Sequence, residues 1–548
     1  MSKTVCIIGA GVSGLASTKQ CLDESLLPTC YEKDSDLGGI WNFSETPRHG
    51  FPSLYKSCVM NTSKGMTCFS DFPFPPHYPN FLHHGQYKTY LDNYAAHFGL
   101  QKYIFFRTEV LRVERATDFE STGRWIVTSR RYSHASEAGH VSEVTYDYVI
   151  VCSGHYTSPF RPDYASLGSF KGSVSHSHDY KDPHGFKGKN VLVIGFGSSA
   201  LDVACELGRD ANKVFLSVKR GGYVMPKISG NGEPWDQNEW TRLNQLINRL
   251  IPKSLLLPFY YANLNRNFNQ TLFGLTSNAP FNCRQGTPND TLYVRLLSGE
   301  ITMKPNVSEF FANFVKFEDG TKEMIDSVIF GTGYSFSFPF LRSEDVQIEN
   351  GLPSLYKEIL PVGLHPSSLA MVGTVHVLAA LPPVFEMQAR WATRHFRGKI
   401  CLPDDSVIRA IVKLRKMRYT PRARKEILCD NLEYMDELAY EVGCKPNIWK
   451  YLVTDFAFFL KLLSGPVLPQ QYRLDGVGSW DGARETIENN SQNVWFPLRT
   501  RRAGVGEREG LYAGWIMLFH VSAFAAVVAT SVDYRYLFTR LIDFVIHT

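Results

Sequence analysis

A pattern of strand, glycine-rich turn and helix occurs twice in this sequence, and it limits the possible folds more than any other feature. In the first copy an apolar stretch, residues 5–8, leads into the G-x-G-x-x-G spacing of Gly9, Gly11 and Gly14 and then into a helical pattern. The first glycine permits a tight turn, the second lets the backbone approach a pyrophosphate, and the third allows helix and strand to pack closely. The phosphate binds the free N–H groups at the helix N-terminus. The first copy therefore predicts a dinucleotide-binding fold.

Glu32 stands at the end of the next predicted strand, residues 28–31. A carboxylate at this place accepts hydrogen bonds from ribose hydroxyls, and it would repel a 2′-phosphate. We therefore expect the first copy to bind FAD or NAD rather than NADP. The alternative is a glycine turn with a purely structural role.

The second copy, residues 190–200, is followed by charges of the opposite sign. Its residues are Gly195, Gly197, Ser198 and Ala200 in the turn, and Ser217, Lys219 and Arg220 around the end of the next strand. Counted from the first glycine of its turn, Lys219 stands within one position of the place that Glu32 has in the first copy. Two cations and a hydroxyl suit a 2′-phosphate, so we expect this copy to bind NADPH. A solvated Lys–Arg pair at a strand end is the alternative.

Two nucleotide sites of opposite preference in one chain indicate a reaction type. A nicotinamide delivers hydride to a flavin, and the flavin carries out the harder chemistry. Disulfide reductases of this architecture need a closely spaced cysteine pair beside the flavin. None of the 11 cysteines forms a C-x-x-C pair, and no C-x4-C pair follows the first fingerprint. We therefore expect reduced, mostly buried thiols in a cytosol-facing protein, and oxygen as the acceptor.

The amino-acid composition excludes several other classes of protein. Hydrophobic residues make up 44% and charged residues 20% of the chain, which excludes a wholly disordered protein. The net charge of +5 is too small for a chain of 548 residues to indicate a nucleic-acid partner. Mean hydropathy of −0.18 argues against a polytopic membrane protein. With neither an H-E-x-x-H motif nor a ligand spacing among the histidines, we expect no metal site.

Further stretches of the chain carry a family resemblance. They are residues 32–41 with Gly39 and Trp41, residues 60–73 with Asn61 and Thr62, residues 170–180 with His176, residues 326–334 with Gly331 and Thr332, and residues 386–393 and 479–484. Residues 170–180 match F-x-G-x-x-x-H-x-x-x-(F/W/Y) at all four positions. Together these motifs resemble the flavin-containing monooxygenases over nearly the whole chain, in particular the animal microsomal type, the dimethylaniline monooxygenases that form N-oxides.

The resemblance implies a chemistry and a set of roles. In that family NADPH reduces FAD, and the reduced FAD takes up O2 as a C4a-hydroperoxide. A soft nucleophilic nitrogen or sulfur of a small molecule then attacks the distal oxygen. The position of Asn61 is implicated in holding the peroxyflavin, so Asn61 is the implied catalytic residue. Gly39, Trp41, Thr62 and Thr332 are implied to contact the cofactors, and His176 is expected to organise domain packing or NADP+ rather than donate protons.

The sequence by itself leaves the role of Asn61 and the type of oxygenation open. From its sequence context, Asn61 could equally well be a residue that stabilises a turn rather than one that holds the peroxyflavin. Ser198 replaces the Asn that is common in the family's second fingerprint, and Gly331 replaces an Ala. Baeyer–Villiger oxygenation of ketones is an alternative activity, as is an uncoupled NADPH oxidase that produces H2O2. A flavoprotein kept mainly for interaction on a membrane is an alternative from a different class.

The expected fold is α/β, with two Rossmann-like dinucleotide-binding domains and the NADPH domain inserted into a discontinuous FAD domain. The predicted units are residues 1–155 for the first part of the FAD domain, 156–331 for the NADPH domain with an insertion at about 234–288, 332–445 for the second part of the FAD domain, 446–510 for a C-terminal segment, and 511–548 for a membrane-anchoring tail.

The tail is predicted from residues 511–532, which contain no Asp, Glu, Lys or Arg. At about 1.5 Å per residue, a helix of this length would span roughly 33 Å, enough for a bilayer core. Arg499, Arg501 and Arg502 precede it and favour a cytosolic side. We therefore expect a membrane-associated helix at the endoplasmic reticulum with the catalytic domains facing the cytosol; a buried or interfacial helix is the alternative.

Small-molecule substrates and O2 are the other expected partners, and a homo-oligomer is left open.

Overall fold

The computed structural model describes residues 2–132, 139–265, 268–275, 286–349, 351–377, 379–419 and 428–501. The predicted membrane-anchoring tail, residues 511–548, lies outside these ranges. Within them, no helix combines the length and the apolar character needed to cross a membrane.

The described strands, in chain order, are β1 Thr4–Ile8, β2 Leu27–Tyr31, β3 Ile104–Phe105, β4 Thr108–Arg115, β5 Trp125–Arg131, β6 His140–Tyr146, β7 Tyr148–Val151, β8 Ser173–His176, β9 Asn190–Ile194, β10 Lys213–Ser217, β11 Tyr223–Met225, β12 Gly286–Pro288, β13 Ile301–Lys304, β14 Val307–Phe310, β15 Phe314–Phe317, β16 Lys322–Met324, β17 Ser327–Phe330, β18 Ile348–Glu349, β19 Leu352–Pro353, β20 Leu355–Tyr356, β21 Leu360–Pro361, β22 Leu369–Met371, β23 His376–Val377 and β24 Leu428–Cys429.

The described α-helices are α1 Val12–Asp23, α2 Lys64–Thr67, α3 His84–His97, α4 Phe119–Thr122, α5 Ser198–Leu207, α6 Trp235–Glu239, α7 Arg242–Leu250, α8 Lys253–Leu264, α9 Leu292–Leu297, α10 Leu381–Phe396, α11 Asp405–Tyr419, α12 Asn431–Val442, α13 Lys450–Thr454, α14 Phe456–Ser464 and α15 Ala483–Trp495.

The first parallel sheet has the strand order β22-β7-β1-β2-β3. Its central strand β1 is buried on both faces: Val5 and Ile7 belong to one hydrophobic cluster, and Cys6 and Ile8 belong to another. Such two-sided burial is typical of parallel sheets covered by helices or further layers, and it explains why β1 is a continuous apolar run.

The second parallel sheet has the order β13-β10-β9-β17-β8, and its central strand is also buried on both faces. Its central strand β9 places Val191 and Val193 in one cluster and Leu192 and Ile194 in another. Two parallel sheets, each with a central strand that leads into a glycine turn, agree with the predicted duplication.

The two sheets are interleaved along the chain. Strands β1, β2, β3 and β7 of the first sheet come before all strands of the second, and β22 returns to the first sheet after β17. Leu369–Met371 pairs in parallel with the edge formed by Val149–Val151. The expected interleaved order is therefore present in the strand topology; the residue limits of the predicted domains stay a prediction.

Polar contacts attach the insertion and the C-terminal segment to helices α10 and α12 and to the loop that contains Asp71. Arg242 of α7 donates to the Asp436 carboxylate of α12 at 2.9 Å. Arg473 is buried between Glu386 on α10 and Asp71, with Nη2 to carboxylate distances of 2.7 and 2.8 Å. Both arginines, Asp436 and Glu386 are buried, and the Asp71 side chain is 8% exposed, so these contacts fix the segments in place.

Candidate cofactor sites

The first glycine turn is shaped by close backbone contacts. Gly9 has a φ of +101°, and a methyl group there would lie 2.7 Å from the Cys152 carbonyl oxygen. A methyl group on Gly14 would lie 1.8 Å from the Gly9 carbonyl oxygen. Gly9 therefore requires glycine for the tight turn, and Gly14 requires it for the close packing of α1 on that turn, which are the roles expected from the fingerprint.

Gly11 has a different role, because a side chain there would meet no close backbone clash. Gly11 precedes α1, which has no capping side chain and no acidic residue in its first turn. The nearest atom to a methyl group on Gly11 would be the Gly39 Cα at 3.5 Å. Gly11 and Gly39 therefore face each other beside free N–H groups of α1. This cradle, open to a phosphate and lined by backbone, fits the pyrophosphate of a dinucleotide.

Glu32 follows β2 and is held by the backbone through both carboxylate oxygens. Oε2 accepts from the Ala10 N–H at 2.6 Å, and Oε1 accepts from the Asp34 N–H at 2.8 Å. Burial raises the pKa of this carboxyl, while the two N–H donors act in the opposite direction. Each carboxylate oxygen has two lone-pair positions, so both can accept a further hydroxyl proton. The geometry suits the predicted contact to a ribose.

Trp41 lies two residues after Gly39, and its ring packs against Tyr87 of α3 with centroids 4.7 Å apart. A neighbouring ion pair was not predicted from the sequence. Arg48 pairs with Asp34 at 2.5 Å, and Asn42 also donates to Asp34. The pair fixes the loop after Glu32.

Asn61 begins a short segment that enters α2. Its Oδ1 is buried and has no hydrogen-bond partner among the described residues. The Thr62 hydroxyl is paired with the Thr67 hydroxyl at 2.7 Å. A turn-stabilising Asn would use its side-chain oxygen on nearby backbone N–H groups, whereas the Asn61 oxygen is not used in this way. The arrangement leaves the Asn61 Oδ1 able to accept a hydrogen bond from a bound group.

The second glycine turn matches the first in geometry. Gly195 has a φ of +132°, and a methyl group there would lie 2.2 Å from the Gly331 carbonyl oxygen. Gly197 precedes α5, which begins at Ser198, and a methyl group on Gly197 would meet nothing within 4 Å. The backbone at Gly197 is thus open to a ligand, and Ala200 packs one turn further along the helix.

The strand register refines the position of the predicted cations. Ile8 pairs with Tyr31 in the first sheet, and Ile194 pairs with Ser217 in the second. Glu32 therefore corresponds to Val218, and Lys219 stands one residue beyond it. Lys219 and Arg220 are both exposed. The second site thus lacks a carboxylate at the ribose position and has cations just past it.

Two of the predicted hydroxyl contacts are already used by the protein. The Ser217 hydroxyl donates to the Pro305 carbonyl oxygen at 2.8 Å, and the Thr332 hydroxyl donates to the Phe160 carbonyl oxygen at 2.5 Å. Each oxygen can still accept a hydrogen bond, but its proton is committed to backbone.

His176 is fully buried and serves the packing of the second sheet. Its Nδ1 accepts from the His178 N–H at 3.0 Å, so Nε2 carries the proton and donates to the Gly333 carbonyl oxygen at 3.1 Å. Burial lowers the pKa of His176 to about 4. A neutral imidazole with both nitrogens occupied agrees with the expected organising role.

The sequence does not predict the contacts that join the two cradles. The Tyr55 hydroxyl donates to the Asp202 carboxylate at 2.5 Å, and Ser57 donates to Glu206 at 2.9 Å. Asp202 and Glu206 lie on α5, which starts at the second glycine turn, and Tyr55 lies six residues before Asn61. No local pattern indicates a pair separated by 147 residues.

Two dinucleotide cradles on interleaved parallel sheets define an oxidoreductase that uses two nucleotide cofactors. Residues 2–532 match the family model described as flavin-binding monooxygenase-like. The chain belongs to this flavin-binding monooxygenase-like family, and it is a monooxygenase.

Individual relatives agree with the family assignment. Flavin-containing monooxygenase 2 of Homo sapiens is 42% identical over 508 residues, which cover 91% of this chain and 94% of that protein. Dimethylaniline monooxygenase (N-oxide-forming) 2 of Pan troglodytes is 41% identical with the same coverage. Flavin-containing monooxygenase 5 of Oryctolagus cuniculus is 42% identical over 506 residues, with 91% and 94% covered.

Solved structures show the same fold. S-allyl-L-cysteine S-oxygenase from Allium sativum superposes with a TM-score of 0.62 at 23% identity, covering 89% of this chain and 99% of that chain. OTEMO in complex with FAD and NADP superposes with a TM-score of 0.57 at 15% identity, covering 80% and 98%.

Proposed function

We propose that the first cradle binds FAD, that the second binds NADPH, and that the enzyme uses O2 to oxygenate soft nucleophilic nitrogen or sulfur atoms of small molecules. The observation that carries the assignment is the opposite chemistry at equivalent strand ends: a buried carboxylate at Glu32, and Val218 followed by Lys219 and Arg220 in the second sheet. A carboxylate suits ribose hydroxyls, and cations suit a 2′-phosphate.

Bound FAD, once reduced by NADPH, supplies the oxygen-activating chemistry. The chain's own residues position it: the backbone at Gly11 and Gly39 approaches the pyrophosphate, and Glu32 accepts from the ribose. Asn61 is the proposed catalytic residue, because an amide N–H can donate to a peroxide oxygen without being a strong acid. Its buried oxygen has no partner among the described residues, which is consistent with a side chain that faces a bound group. Names of relatives support this chemistry, since they include N-oxide-forming monooxygenases and an S-oxygenase.

The stoichiometry of the purified holoenzyme tests the proposal. With a tertiary amine or a thioether, we expect close to one N-oxide or S-oxide for each NADPH consumed. Release of H2O2 without oxygenated product would overturn the proposal in favour of an NADPH oxidase. Conversion of a ketone to an ester with no product from amines and thioethers would overturn it in favour of a Baeyer–Villiger enzyme.

We also propose the domain limits given above and attachment to the endoplasmic reticulum membrane through residues 511–548, with the catalytic domains in the cytosol. The uncharged stretch 511–532 and the arginines before it support this. A variant ending at residue 510 should keep activity and move to the soluble fraction on cell fractionation. A variant that stays with the membranes would show that another surface anchors the protein.

A further inference from the structure

We propose that Asp236 is a positioning residue for Asn61: from the insertion, its carboxylate fixes the backbone that sets the Asn61 amide. The inference rests on the proposed function only for the role of Asn61. Asp236 lies on α6, far in sequence from the cradle it would serve, and nothing in the glycine fingerprints points to it.

The contact is direct and buried. Asp236 Oδ2 accepts from the Ser63 N–H at 2.6 Å, two residues after Asn61. Asp236 is 4% exposed and Ser63 is fully buried. Without the carboxylate, the Ser63 N–H would be a buried donor with no acceptor, which costs about 1–3 kcal/mol in the native geometry. The segment would therefore move to find another partner, and Asn61 would move with it.

A second contact reinforces the first. The Gln237 amide donates to the Ser63 hydroxyl at 2.7 Å, and Gln237 Oε1 accepts from Asn490 of α15 at 2.7 Å. Helix α6 thus holds Ser63 by its backbone and its side chain, and the C-terminal segment holds α6. Residues 61–63 are fixed from two segments that lie outside the two parallel sheets.

The chemistry of Asp236 also favours a functional role over a purely stabilising one. Its second oxygen, Oδ1, is buried without a hydrogen-bond partner among the residues described. Burial raises the pKa of Asp236 to about 6. An incompletely paired buried carboxyl is unfavourable for stability, and such groups are concentrated at functional sites. Asn61 Oδ1 is in the same condition, so two buried acceptors, one on Asn61 and one on Asp236, have no donor among the described residues.

The test compares Asp236→Ala, Asp236→Asn and Asn61→Ala holoenzymes. Asp236→Asn keeps an oxygen acceptor for the Ser63 N–H and should stay within about twofold of the wild type. Asp236→Ala should raise the H2O2 released per NADPH at least about fivefold and lower kcat for oxygenation by the same order, with little change in KM for NADPH. It should also alter the visible absorption spectrum of the bound, oxidised flavin, which is measured without turnover.

A double variant separates positioning from general damage. If Asp236 acts through Asn61, Asp236→Ala on the Asn61→Ala background adds nothing to either the spectrum or the H2O2 yield. Asp345→Ala is the matched control, because Asp345 is likewise buried with one oxygen that lacks a partner among the described residues, and it accepts from Arg115 rather than from residues 61–63. It should leave both readouts at wild-type values. Additive effects of Asp236→Ala and Asn61→Ala, or a wild-type spectrum for Asp236→Ala, would overturn the proposal.

Gln237→Ala keeps the proposal testable if Asp236→Ala does not fold. It removes the second contact to Ser63 and leaves the Asp236 carboxylate in place, so it should move the spectrum in the direction seen for Asn61→Ala. An unchanged spectrum would overturn the positioning role. Failure of the proposed function is recognised separately, since a wild-type enzyme that forms no oxygenated product leaves the spectral comparison intact.

Discussion

Gly331 lies so close to Ala200 that a methyl group on Gly331 would be 2.6 Å from the Ala200 Cβ. Gly331 follows β17, and Ala200 is the third residue of α5, so their contact sets how closely the helix of the second cradle packs on its sheet. With Ala at position 200, position 331 has room only for glycine. The alanine at position 200 and the glycine that replaces the family's alanine at position 331 are therefore sterically coupled.

We expect Gly331→Ala to destabilise the second cradle by about 1–3 kcal/mol, the usual cost of overpacking. The melting temperature should fall and NADPH binding should weaken. The double variant Ala200→Gly with Gly331→Ala should recover only part of the loss, because a methyl group on Gly331 would still lie 2.9 Å from the Ala200 Cα, and glycine inside a helix costs a further ~1 kcal/mol. Thermal unfolding and NADP+ titration measure both effects. A double variant no better than Gly331→Ala would show that the two side chains are not in conflict.

Gly11 and Gly14 should respond differently to the same substitution. A methyl group on Gly11 would fill the space facing Gly39 without a backbone clash, so Gly11→Ala should fold but lose FAD. A methyl group on Gly14 would strike the Gly9 carbonyl, so Gly14→Ala should fail to fold or unfold at much lower temperature. Flavin absorbance and circular dichroism of the purified proteins distinguish the two. A yellow Gly11→Ala protein would contradict the assigned cradle.

The features that could be predicted from the sequence are those formed by residues close together in the chain. The glycine turns and the apolar central strands follow from residues within one strand–turn–helix unit, and both were predicted, whereas the ribose contact of Glu32 stays a prediction. Val218 shows the limit even there, because only the strand register reveals that it, rather than Lys219, matches Glu32. The contact between Ser63 and Asp236 joins residues 173 apart, and such pairs follow from the packing of the whole chain.

Lys219 and Arg220 should contribute to NADPH binding more than to NADH binding. Replacing both with Ala removes two cations just past the ribose position, so KM for NADPH should rise at least about tenfold while KM for NADH changes little. Lys187→Ala is the control for lost positive charge, because this exposed lysine precedes β9, at the opposite end of the strand from the cradle. Equal effects on both cofactors would remove the 2′-phosphate assignment.

His176 should make the protein less stable in acid. The pKa of His176 is about 4 in the folded chain, below its ordinary value of 6.5, because burial disfavours the charged imidazole. Between these values the unfolded chain binds a proton that the folded chain does not, so stability falls as pH drops from about 7 towards 4. The loss attributable to this group reaches about 3 kcal/mol at the acid end.

Denaturant unfolding of the wild type and of His176→Gln between pH 8 and pH 4.5 measures this effect. The variant loses the two-sided hydrogen bonding of the ring, so it should be less stable at pH 8. Because glutamine does not titrate, the difference between the two proteins should shrink as the pH falls below 6.5. A difference that stays constant over this range would mean that His176 carries the same proton in the folded and unfolded chains, contrary to its burial between His178 and Gly333.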